Sequence, residues 1–195
     1  MSQVFLSASI PEQGHGNFFE SANPFLIQFA VRELMTVCLG RRRVVWGGHP
    51  AITPMIWAVC ESLGVEYASA VRLYQSRFFE EWFPNENRHF GNVRYTPAVG
   101  NDREASLERM RRSMLAEPFD AAVFIGGMEG IFAEHRMFRE FHPTARVIAV
   151  AAPGGAAKQL ARQLRQRNSG VDFARIFHRK LSIRVDEPRT LNLDR

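Results

Sequence analysis

Lysine is almost missing from this chain. Of 25 basic side chains only Lys158 and Lys180 are lysines, so nothing before position 158 can form a Schiff base or anchor a phosphate through an ammonium group. No GxxxxGKS/T occurs, which excludes a P-loop nucleotidase. Cysteine is equally scarce. Cys38 and Cys60 stand alone in stretches of helical spacing, with no CxxC. That argues against a disulfide framework or a zinc site and leaves both as small core residues, with no metal ligand set expected. The apolar runs are short and broken by charges. None approaches the ~20 residues that cross a bilayer, so no membrane association is expected. The opening MSQVFLSAS has neither a basic leader nor a small-residue cleavage site, and a cytoplasmic location is the expectation.

The net charge of +5 is concentrated at one end. Residues 158–195 carry ten basic and four acidic side chains, so the preceding 157 residues sum to −1. A basic tail can grip nucleic acid, but such a run is more often a solvated helix face, and nucleic acid is the less favoured partner.

Against these absences stands a regular alternation. VFLSAS (4–9) is an apolar run, and residues 22–40 place apolar side chains at three- and four-residue spacing before a glycine stop. RRVVWGGHP followed by AITPMIWAVCESLG repeats the unit. AVRLYQS and NVRYTPA read as two more strands, joined by RFFEEWFPNENRHFG, a segment long and polar enough to be a lid. NDREASLERMRRSMLAE opens with a helix cap and places Leu107, Met110 and Met114 on one stripe. AAVFIGG and RVIAVAAPGG are unbroken apolar runs, each followed by a helical stretch. Runs apolar on both faces and alternating with helices specify a parallel sheet covered on both sides. The expected fold is α/β, a Rossmann-like three-layer sandwich with a mainly parallel central sheet, over residues 1–165. Residues 166–195 are set apart as a basic, partly helical tail.

In such a sheet ligands bind beyond the carboxyl ends of the strands, where following helices aim their N-termini. Three strand ends here are glycine-rich or small. The first offers Ser7 and Ser9, the second Gly47, Gly48 and His49 with Thr53 just beyond, and the fifth Gly126, Gly127, Met128, Glu129 and Gly130. Glycine lets backbone approach an anion closely, so GGHP and GGMEG are candidate phosphate cradles. Gln75, ending the third strand, is a candidate base contact, and Trp82 and Phe83 are candidate covers. The spacing is not GxGxxG and no acidic residue follows the second strand. That argues against an ordinary dinucleotide dehydrogenase, and no cofactor is expected.

VVWGGHPAITPMIWAV resembles the glycine-rich loop and helix of the SLOG superfamily, which includes the LOG phosphoribohydrolases and the DNA-processing protein A fold. FIGGMEGIFAE resembles its second signature, P-G-G-x-G-T-x-x-E: Gly126, Gly127 and Gly130 match the glycines and Glu134 keeps the offset to the glutamate. Ile125 replaces the proline, Glu129 is an extra residue, and Ile131 replaces the threonine. With FLSASIP and DREASLERMR, the pattern most resembles a stand-alone branch of that superfamily over residues 3–165. The resemblance implies a nucleotide-derived small-molecule ligand and a homodimer. It also implies catalytic parts for Glu134 and an arginine on the preceding helix, either Arg111 or, at the helix start, Arg103. Because the signature is altered, a sensor or sequestering module is the first expectation. A nucleoside 5′-monophosphate phosphoribohydrolase using Glu134 is the alternative.

Overall fold

Each of the six segments read as a strand becomes one. In a computed structural model that describes residues 2–14, 16–167 and 170–190, β1 (Gln3–Ser9), β2 (Arg43–Trp46), β3 (Val71–Ser76), β4 (Asn92–Thr96), β5 (Ala121–Gly126) and β6 (Arg146–Val150) form one sheet in the order β4-β3-β2-β1-β5-β6. Every neighbouring pair is parallel. The helices are α1 (Gly16–Ser21), α2 (Pro24–Cys38), α3 (Thr53–Leu63), α4 (Arg103–Leu115), α5 (Gly130–Phe141), α6 (Gly155–Gln163) and α7 (Phe173–Leu181). The result is an α/β Rossmann-like sandwich.

Alternation along the strands sorts the core into two layers. Val4 and Leu6 of β1 and Val123 and Ile125 of β5 pack with Ile27 and Leu34 of α2, Ile56 of α3 and Phe177 of α7. Phe5, Ala122 and Phe124 point the other way, to Met110 and Met114 of α4, Phe138 of α5 and Leu160 of α6. Phe5 is the keystone of this second layer. Its ring lies 5.9 Å from Phe119, 6.0 Å from Phe124 and 5.9 Å from Phe138.

Local chemistry starts the helices where the pattern requires. Pro24 opens α2 and the Asn23 side chain accepts from the Leu26 N–H at 3.0 Å. Asp102 likewise accepts from the Ala105 N–H at 3.0 Å at the head of α4. Each cap satisfies one of the donors a helix start leaves without an intrahelical acceptor.

The segment beyond residue 166 joins the same core. Phe173 and Phe177 are fully buried and α7 packs on α2. Further on, Arg189 donates to the carbonyl of Thr36 at 2.6 Å and to that of Leu39, while Arg41 Nε donates to the Glu187 carbonyl at 2.6 Å. The basic residues thus fasten this segment to the body as far as it is described. Residues 191–195 lie outside the described residues. No helix among the described residues is long and apolar enough to cross a membrane.

From β1 the chain builds outward through β2, β3 and β4, then returns by way of α4 to place β5 on the other side of β1. The reversal lies between β1 and β5, where the connecting segments diverge and leave a crevice.

Candidate functional site

That crevice is a cavity of about 640 Å³, within the range that takes a nucleotide-sized ligand. Ser7 and Ser9 of β1, Gly47 and Gly48 after β2, and Gln75 of β3 line it from the sheet. Arg103, Leu107, Met110 and Arg111 of α4 form one wall, and Met128, Glu129, Gly130, Ile131 and Glu134 at the start of α5 form another. Phe79, Trp82, Phe83 and Pro84 contribute from the aromatic segment after β3, and Glu12 and His49 complete the lining.

Two neutral side chains at the sheet end of this cavity are almost wholly buried. Ser7 is 5% and Gln75 6% exposed, and among the described residues neither side chain hydrogen-bonds within the protein; their polar atoms are open to the cavity, not sealed from it. Trp46, which also lines the cavity, has its indole N–H buried and unpaired. Buried polar groups are normally satisfied, and those that are not call for a ligand or a solvent molecule. Gln75 owes its place to Gly48. A Cβ at Gly48 would lie 2.2 Å from Gln75 Nε2.

The second glycine doublet makes backbone ties at the strand ends. Gly127 donates its N–H to the Ser9 carbonyl at 2.8 Å and accepts at its own carbonyl from Ala156 at 2.9 Å. A Cβ on Gly126 would lie 2.7 Å from the Ser9 carbonyl oxygen. Gly126 and Gly127 therefore join the ends of β5, β1 and α6 and do not line the cavity; the wall begins one residue later, at Met128. There α5 starts with no side-chain cap.

Thr53 is also buried away from the cavity. Its Oγ1 donates to the His49 carbonyl at 3.1 Å, and the same oxygen accepts from the N–H groups of Ile52 and Thr53 at 2.9 Å each. His49 Nδ1 accepts from the Ala51 N–H at 3.2 Å. The first amides of α3 are thus consumed within the loop. Burial holds His49 below its ordinary pKa of 6.5, against a smaller upward pull from Glu12. A neutral ring whose Nδ1 accepts carries its proton on Nε2.

Arg111 and Glu134 meet across the two walls. Arg111 Nε lies 3.1 Å from Glu134 Oε1, with side chains 13% and 17% exposed. A Cβ at Gly130 would lie 3.1 Å from Arg111 Nη2, so the third glycine of the loop makes room for the guanidinium. Met110 and Met114 pack into the core while Arg111, about 100° further round the helix, turns to α5. The model of the SLOG cluster3 family matches residues 17–181. The chain belongs to that family. Membership points to a nucleotide-related function. Among curated proteins none matches this chain.

In this SLOG chain the matched span reaches past residue 165 to the end of α7, in keeping with the burial of Phe173 and Phe177. Arg103 sits at the cavity mouth, paired with its exposed neighbour Glu104, its guanidinium carbon 5.9 Å from the centre of the Phe79 ring. Trp82 is 62% exposed beside it. Glu12, Glu104 and Phe79 join the lining without a motif of their own. Only Phe79 has a signal, its place in the aromatic stretch 78–83.

Proposed function

We propose that this SLOG chain binds a nucleotide-derived small molecule in the cavity between β1 and β5, as a sensor or sequestering module. The observation that carries the reading is the pair Ser7 and Gln75, more than nine-tenths buried, facing a nucleotide-sized cavity and unpaired. Neutral donors and acceptors of this kind match the edge of a base or the hydroxyls of a sugar, which complete their hydrogen bonds on binding. The aromatic residues at the mouth supply faces for stacking.

A second reading has its own support. The Arg111–Glu134 contact sets a carboxylate and a guanidinium side by side, as hydrolysis of a base–ribose bond requires for an oxocarbenium-like transition state. One feature favours binding instead: Ile131 puts an aliphatic side chain on the cavity wall where the resembled signature has a hydroxyl.

Stoichiometric incubation with a panel of nucleoside mono- and diphosphates and ADP-ribose, read by chromatography, separates the two. The binding reading expects every nucleotide to be recovered intact with wild-type protein. Free base released by wild type and lost in Glu134→Gln would replace it with hydrolysis.

A further inference from the structure

The connection from β3 to β4 is anchored at both ends and loosely held between them. Ser76, the last residue of β3, is fully buried. Further on, Asn87 and Phe90 are also buried, and His89 stacks on Trp57 of α3 with ring centres 4.3 Å apart. Residues 77–84 lie between these anchors, and none of them is buried. They are held by exposed contacts. Arg77 pairs with Glu80 at 2.6 Å, both side chains more than half exposed, and lies over the Tyr95 ring at 5.1 Å. Phe83 stacks on the same ring at 5.7 Å, and Arg103 lies over Phe79 at 5.9 Å. The short 3-10 helix Arg77–Trp82 is itself interrupted at Phe79, where φ is −106° and ψ 19°. Exposed ion pairs and cation–π contacts each contribute little, so a segment with no buried side chain opens and closes at small cost.

The same segment is rich in the side chains that gain most from burial. Phe78, Phe79, Trp82 and Phe83 are half of its eight residues, and Trp82 is 62% exposed. Phe79, Trp82, Phe83 and Pro84 line the cavity. An apolar cluster left open at a cavity mouth marks a surface that another body covers, and the nearest body is the molecule that fills the cavity. A flat π-system matches aromatic faces in a way that a sugar or a phosphate does not. We infer that residues 77–84 form a lid that swings between Ser76 and the anchored turn at Asn87, laying Trp82 on an aromatic ring of the bound molecule, so that the site selects ligands carrying such a ring. The inference rests on the nucleotide reading above and adds to it a moving part and a requirement for the base.

Amide hydrogen exchange on the full chain, alone and with saturating AMP, ADP-ribose or ribose 5-phosphate, reads the lid, and titration calorimetry with the same probes reads binding. The nucleotide that binds is expected to slow exchange across residues 77–84 by about ten-fold, whereas ribose 5-phosphate, which lacks the base, leaves it unchanged. Trp82→Ala removes an exposed side chain and is expected to keep the thermal midpoint. It is expected to weaken nucleotide binding about ten-fold, the loss that one base–aromatic stack represents, through faster dissociation. Binding of AMP or ADP-ribose with unchanged exchange in residues 77–84, or with unchanged affinity in Trp82→Ala, overturns the lid and leaves the nucleotide reading standing. So does protection by ribose 5-phosphate as large as that by the nucleotides. Failure of both nucleotides to bind overturns both.

Discussion

Gly154→Ala is expected to lower the thermal midpoint by about 6–12 °C, the shift that roughly 3 kcal/mol produces in a chain of this size. Gly154 sits just before α6 with φ 81° and ψ −151°, a region essentially closed to residues with a Cβ. Space is the second obstacle. An added Cβ would lie 1.8 Å from the Ser21 carbonyl oxygen and 2.9 Å from Ala22 Cα. Both are backbone atoms, so no rotamer change relieves the contact. The two segments are also tied together, since Asn23 donates its N–H to the Pro153 carbonyl at 2.9 Å. Displacing them pulls on the residue that caps α2. Gly100→Ala is the control. Its φ of +51° is also left-handed, but a Cβ there meets nothing within 4 Å, so only the backbone preference of about 1 kcal/mol is lost. Scanning calorimetry of the two variants separates collision from conformational preference.

Gly48→Ala is expected to do the opposite, costing little stability and much affinity. Gly48 has φ +73°, so alanine there again loses about 1 kcal/mol. The close atom is the far end of Gln75, Nε2 at 2.2 Å, which can swing aside. In moving, the amide leaves its position at the cavity wall. Losing one well-placed polar group from a buried site, and with it the ligand group it satisfied, weakens binding about ten-fold or more. Titration of the tightest nucleotide probe against wild type and Gly48→Ala reads the affinity, and the midpoints of the same samples read the stability. Unchanged affinity would remove Gln75 from the site.

Most of the architecture was open to reading because the strands are short runs apolar on both faces, a pattern that few elements other than covered parallel strands produce. The cap at Asp102 made one helix start legible. The glycine doublets show where sequence reasoning stops. GGMEG displays its amides, but the acceptor that takes the Gly127 N–H is Ser9, 118 residues earlier, on a strand brought alongside only by the crossover. His49 closes its loop with its own carbonyl and ring nitrogen, a geometry that GGHP does not spell. In α7 the helical spacing of Phe173, Ile176, Phe177 and Leu181 was visible, whereas its burial depended on α2 presenting a matching face. The basic residues around it made that segment read as a tail. Arg111 lay in the opposite case: the motif offset left its part open between itself and Arg103, and helix rotation brings Arg111 to Glu134.

The central claim is that the cavity between β1 and β5 holds a nucleotide-derived molecule. Native mass spectrometry of the full chain, as purified and after exposure to the nucleotide panel, tests it most directly. The expected result is a one-to-one adduct of nucleoside-containing mass on wild type, much reduced on Gly48→Ala. Bare protein mass throughout the panel, or an adduct retained equally by the variant, would contradict it.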